Sequence, residues 1–312
     1  MKSGEVLLEV VRNEMVESIH SGHLLIIDKD GKDILSLGSV DDLIYPRSAV
    51  KSLQASAMVR AGLRLNGEQL ACACASHAGS ERHLKVIRST LTGVGLDESA
   101  LRNTPDRPLG SAERVAWGEL PPSSLAANCS GKHSAMLATC VHNGWDIASY
   151  KDPAHPLQIA IKKEFEELSG EKINQVGIDG CGAPLFALSL RSLSRAIRAL
   201  TISQDPVHRE VIDACRNNPY FVSGAGRLPT LLMEKAEGLF VKDGAEGVMV
   251  ISVPDGSTVV WKMSDGSQRG ASVLAAASLK ILGVNVELEP ESVMGDGRVV
   301  GEIRASRIVH HG

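Results

Sequence analysis

The apolar positions of this chain follow two periods. Short β-type runs at 23–27 and 34–37, separated by Asp28-Lys29-Asp30-Gly31, predict a hairpin. A second hairpin is predicted from 248–253 and 258–263 around Pro254-Asp255-Gly256, and a closing strand at 299–309. The run at 70–75, with Cys72 and Cys74 alternating, reads as a short buried strand. Helical spacing predicts helices beginning near Pro46 and running through the apolar stretch 53–61, then at 81–92, 130–141, 156–168, 185–200, 206–216, 228–236 and 268–282. Gly62 and Ser169-Gly170 supply stops. Residues 106–122, rich in proline in and around the segment and containing Trp117, read as a long ordered loop. No repeat, low-complexity segment or linker interrupts the pattern.

Strands at both ends with helices between them predict a sheet built from the two termini. The helical part, roughly 46–240, is inserted in the middle. That is an α+β arrangement or an α/β/α sandwich, read as a single catalytic domain over 1–312. The composition supports a full core: 312 residues, 43% hydrophobic and 22% charged. With a net charge of −4, scattered basic residues and 3% aromatics, the chain lacks the basic patch and stacking platforms of a nucleic-acid binder. No segment reaches the roughly 18 apolar residues of a membrane span, and residues 1–13 carry acids where a signal peptide needs an apolar stretch. The expected location is cytoplasmic, where disulfides are disfavoured. Cys72, Cys74, Cys140 and Cys215 are therefore read as small buried hydrophobes.

Four places carry chemistry. Ser48 and Lys51, in Arg47-Ser48-Ala49-Val50-Lys51, stand three apart at a helix start and face the same way. A buried neutral lysine amine takes a serine proton and makes a nucleophile without histidine. Alone, Ser-x-x-Lys is a weak signal, since an exposed serine and a snorkelling lysine give the same pattern. Ser76, in Ala75-Ser76-His77-Ala78-Gly79-Ser80, lies after the 70–75 run and offers a second hydroxyl, although Ser80 also suits a simple helix cap. Lys242, in Lys242-Asp243-Gly244, precedes the 248–253 strand, where a β-turn with an exposed lysine is the plain alternative. The order Ser-x-x-Lys, Ser, Lys-x-Gly is the one used by acyl-serine enzymes such as the serine β-lactamases.

The fourth place is Asn128-Cys129-Ser130-Gly131-Lys132-His133, with Asp179-Gly180-Cys181 further on. Two thiolates and an imidazole suit zinc, and spacing alone favours His133 over Lys132 as the nitrogen ligand, because neutral lysine is a rare one. The alternative is that Cys129 and Cys181 never meet.

Taken together, Arg47-Ser48-x-x-Lys51, Ala75-Ser76-His77, Asn128-Cys129-Ser130-Gly131-Lys132-His133, Asp179-Gly180-Cys181, Gly224-x-Gly226-Arg227 and Lys242-x-Gly244-Ala245 resemble the L-asparaginase II family, the Rhizobium-type class 3 asparaginases, over nearly the whole chain. The resemblance implies a fold similar to the serine β-lactamases and glutaminases, a homodimer, and hydrolysis of L-asparagine to L-aspartate and ammonia. It implies two Ser-Lys tandems, Ser48 with Lys51 and Ser76 with Lys242. It also implies zinc held by Cys129, Cys181 and Lys132, which moves His133 and Asp179 to a supporting position. Arg47, His77 and Gly244 are further candidates for substrate binding or support. Two departures stand out. Ser80 follows Gly79 where the family has glutamate, and Pro229-Thr230 stand where it often has Asp-Thr. Both are expected to affect specificity. The rival readings are a glutaminase or other small-amide hydrolase, and a non-catalytic zinc- or metabolite-binding protein of the same fold.

Overall fold

The computed structural model describes residues 4–310. Its main sheet has eight strands, all neighbouring pairs antiparallel. Seven follow one path: Ser292–Gly295, Arg298–Ala305, Glu5–Arg12, Met15–Ile27, Thr258–Met263, Val248–Ser252 and Phe240–Gly244. The eighth, Asp33–Leu37, pairs with the second half of Met15–Ile27 and makes the predicted first hairpin. The second hairpin is present in the register Thr258↔Ser252 to Lys262↔Val248. The sheet is thus assembled from the two ends of the chain, and the helices between 51 and 235 fill the interval, as the pattern predicts.

Val248–Ser252 and Thr258–Met263 are buried at every position, and so are the last six residues of Met15–Ile27. Continuous burial means that both faces of this part of the sheet are covered, which explains why these strands read as apolar runs with little alternation. One cover is the helix Leu190–Ile202. Its buried Leu190, Leu193, Ala196, Ile197 and Leu200 recur at helical spacing, and Ser189 caps it by accepting from Ser192 N at 3.0 Å. The helix Lys51–Arg60 lies deeper, buried at nine of ten positions and packed against Pro156–Ser169 and Pro206–Asn217. Glu164, 3% exposed, ties these helices together by accepting from Ser56 at 2.8 Å and Arg60 at 2.9 Å and meeting His208 at 2.8 Å. Buried in this way, the carboxylate has every partner it needs.

Several expectations are corrected. Residues 70–75 belong to a helix, Gly67–Ala73, because a short run of Leu, Ala and Cys has no period that separates a buried strand from a buried helix. The supposed loop 106–122 contains the helix Ser111–Trp117. The predicted 185–200 helix starts only at Leu190, since Pro184–Phe186 and Leu188–Ser189 are short strands that pair with Val176–Ile178 and Leu43–Ile44. Lys242 is not in a turn but on the strand Phe240–Gly244. The strand predicted at 299–309 ends at Ala305, and a short helix Arg307–His310 follows. Among the described residues no helix is long and apolar enough to cross a membrane.

Candidate active site and metal centre

Four segments meet at one end of the helical layer. The first is the 3₁₀ turn Arg47–Val50, which leads into Lys51–Arg60. Arg47 has φ 53°, in the left-handed region that bulky residues avoid, so the backbone just before Ser48 is strained. The second segment, 76–78, follows the Gly67–Ala73 helix and is clamped on both sides. Ser76 N and Ala78 N donate to Val222 O and Ser223 O, and His77 N donates to Asn128 O. The third is the start of the helix Ser130–Asn143, and the fourth is the strand Phe240–Gly244. Gly244 lies so close to the Ser48 turn that a Cβ there would sit 2.5 Å from Pro46 O.

Ser76 lies between two buried amines. Lys242 Nζ donates to Ser76 Oγ at 2.9 Å, and Lys51 Nζ reaches the same oxygen at 3.4 Å while donating to Ala75 O at 2.5 Å. Burial pushes Lys51 down to about 8, with the nearby Lys242 and Lys132 charges acting the same way. Burial also lowers Lys242, against the pull of Asp243, whose Oδ1 it meets at 2.5 Å. Asp243 responds in the opposite sense. Burial would raise it, but the Lys242 and Arg227 charges outweigh burial and hold the carboxyl at about 2. The asymmetry is physical: Asp243 has two cations, with Arg227 Nη2 at 2.9 Å, whereas Lys242 has one anion.

The pairing of Ser48 with Lys51 is looser than their spacing suggests. Among the described residues Ser48 Oγ makes no hydrogen bond, and the Lys51 amine is directed to Ala75 and Ser76. Ser48 stands in the 3₁₀ turn and Lys51 opens the α-helix, so the pair spans the change of helix type. Ser48 instead lines a cavity of about 250 Å³ together with Arg47, Thr104, Asp106, Asn128, Cys129 and Cys181. Ser76, 4% exposed, lies behind it.

Cys129 and Cys181 do meet. Their sulfurs and the His133 imidazole lie within 4.8 Å of one another, all three residues buried. Lys132 Nζ is 3.2 Å from Cys181 Sγ, so both nitrogens weighed from the sequence reach the thiols. His133 Nδ1 is held by Tyr150 OH at 2.7 Å, and its Nε2 is buried with no hydrogen-bond partner among the described residues. Burial and the adjacent Lys132 charge push His133 down to about 4, which leaves the ring neutral. An orphaned imidazole nitrogen beside two thiols is a donor set that can bind a metal ion. Asp179 joins this group to the serine side, accepting from Arg47 Nε at 2.8 Å and lying 3.3 Å from Cys181 Sγ. His77, fully buried, meets Ser130 Oγ at 2.9 Å and stacks on His83 at 5.3 Å.

The structure also adds residues that the sequence did not single out. Asp243 was only the unspecified middle of Lys242-x-Gly244, yet it holds Lys242 and Arg227. Asp106 begins the supposed loop and Thr104 lies just before it; only their place beside a proline-rich stretch hinted at order. Neither family departure lines the cavity. Ser80 caps Glu81–Thr92 and meets His83 Nδ1 and Tyr220 OH at 2.7 Å each, while Thr230 donates to Pro219 O and accepts from Gly224 N.

Solved structures similar to this one include a β-lactamase from Desulfarculus baarsii DSM 2075 (14% identity, 84% of this chain and 90% of that chain, TM-score 0.40). They also include D-alanine carboxypeptidase AmpC from Burkholderia cenocepacia (16%, 84% and 93%, 0.41) and a mutant of the simvastatin synthase LovD from Aspergillus terreus (10%, 84% and 91%, 0.37). No curated protein sequence matches the chain. The sequence model of L-asparaginase II matches residues 8–305, nearly the full length, and the chain is a hydrolase belonging to that family.

Proposed function

We propose that the protein hydrolyses L-asparagine to L-aspartate and ammonia through an acyl-serine intermediate on Ser48. The observation that carries this reading is the division of labour between the serines: Ser48 opens on the cavity, while Ser76 is enclosed between two lysine amines whose charge burial disfavours.

Ser48 Oγ attacks the side-chain amide carbon, and its proton passes to the Lys51 amine. Ser76 and Lys242 relay that proton from Lys51 to the departing nitrogen, ammonia leaves, and an ester to Ser48 remains with the Lys51 amine neutral again. Water, deprotonated by the same amine, then attacks the ester carbon and releases aspartate, returning the proton to Ser48. Backbone N–H groups at the Ser48 turn and at Gly244 are the candidates for stabilising the oxyanion.

Zinc is the metal that the soft thiols of Cys129 and Cys181 with a nitrogen from Lys132 best suit, His133 standing beside them. When bound, it supplies Lewis-acid charge to hold a substrate oxygen; the serine remains the attacking group. A metal-free preparation that is folded, binds asparagine normally and shows no turnover would defeat that division of roles.

The test is ammonia release from L-asparagine and L-glutamine by wild type and Ser48→Ala, each with and without chelator. Asparagine turnover lost in Ser48→Ala supports the proposal. Ammonia from glutamine alone shifts the substrate, and none from either amide leaves the fold without this activity.

A further inference from the structure

The cavity beside Ser48 is lined by one cation and two carboxylates, and one of these carboxylates keeps a free oxygen. Arg47 supplies the cation. Of the two acids lining the cavity, Asp179 is paired with Arg47 Nε at 2.8 Å and stands against the proposed metal ligand Cys181. Asp106 is different. Its side chain is 58% exposed, and Oδ1 accepts from Arg107 N at 2.7 Å and lies 3.6 Å from Arg114 Nη2. Among the described residues Oδ2 has no hydrogen bond. The backbone beneath it is fixed, since Asp106 N donates to Ser123 O and Ser123 N donates back to Asp106 O at 2.9 Å. A carboxylate with one free oxygen therefore stands on a fixed stretch of backbone lining the cavity that Ser48 opens into.

We propose that Asp106 binds the α-ammonium group of the substrate, and so restricts this site to amides that carry a free α-amino group. The inference rests on the asparaginase reading above and deepens it. A zwitterion that pairs with both a cation and an anion of one cavity is oriented as well as bound. A charge-assisted hydrogen bond of this kind discriminates strongly against an analogue that lacks the donor.

The experiment compares L-asparagine with succinamate, which keeps the amide and the carboxylate and replaces the ammonium by hydrogen. Wild type is expected to prefer asparagine. Asp106→Asn is expected to lower kcat/KM for asparagine about tenfold, mainly through KM, and to leave succinamate unchanged. Asp106→Glu, which keeps the charge, recovers part of the loss. Parallel losses on both substrates, or no loss on asparagine, overturn the proposal. Calorimetric binding of L-aspartate against succinate gives a readout that needs no turnover. A preference for aspartate that disappears in Asp106→Asn supports the contact even if wild type releases no ammonia, while no preference in wild type overturns it. Failure of the asparaginase reading and failure of this contact are thereby separated.

Discussion

Lys242 Nζ lies 2.9 Å from Ser76 Oγ, and the same amine meets the Asp243 carboxylate, although Lys242 is wholly buried on an edge strand. Buried ammonium groups are rare without such partners. Lys242→Met removes the amine with little change in volume. It leaves Asp243 with Arg227 alone and Ser76 without its nearer donor. The expected result is a fall in kcat of about 100-fold or more, and a loss of stability of about 3 kcal/mol from the half-broken buried pair. Ammonia release and urea denaturation check the two parts separately.

Lys51 sets a pH dependence. Its folded value is about 8 and the ordinary lysine value is 10.5, so the folded state favours the neutral amine. If Lys51 is the base, kcat/KM rises with pH to a plateau above about 8, and Lys51→Met removes this limb along with the activity. The stability effect has a definite sign. Below pH 8 the buried ammonium exacts its full cost. Between 8 and 10.5 the unfolded chain holds more protons than the folded one, so stability rises with pH, by about 3 kcal/mol in total from this group. Denaturation midpoints across pH 7–10 for wild type and Lys51→Met test it.

For the metal centre, zinc is expected to bind once per chain and to raise the melting temperature by an amount that grows with the logarithm of its concentration over Kd. Native mass spectrometry and thermal melting with and without chelator measure both. Cys129→Ser and Cys181→Ser abolish the effect. Lys132→Met costs more affinity than His133→Ala if the amine is the ligand; the reverse order assigns the imidazole.

Gly244→Ala puts a methyl group into the Pro46 carbonyl. Because that carbonyl belongs to the turn that presents Ser48, the substitution is expected to cost about 1–3 kcal/mol and to lower kcat far more than it changes the melting temperature. An equally active Gly244→Ala would show that the turn and the strand are not coupled.

The chemistry was more legible than the architecture around it. Ser48, Cys129, Lys132 and His133 sit in compact motifs, and a motif keeps its spacing however the chain is routed. The sheet was readable where turns are punctuated, as at Pro254-Asp255-Gly256. Phe240–Gly244 escaped because its apolar part is two residues long and a lysine stands in its middle, buried because Ser76 meets it across the fold and the adjacent Asp243 pairs with it. Gly67–Ala73 was misread because small apolar residues suit either period. Asp106 carries no local signal, since its position depends on a bridge to Ser123 that only the folded chain makes.

A sheet assembled from both chain ends also fixes when the protein can become active. Ser76 and Lys242 are 166 residues apart, and the strand carrying Lys242 is held in register by Val248–Ser252, which in turn pairs with Thr258–Met263. During synthesis the Ser48 turn, Ser76 and both cysteine segments leave the ribosome long before their last partner exists. Until the strand Phe240–Gly244 docks, Ser76 lacks its Lys242 partner and Asp243 is not yet there to steady that amine. A chain cut short of the strand Thr258–Met263 is expected to lack the ordered Ser76–Lys242 pair and, on the proposed mechanism, to be inactive.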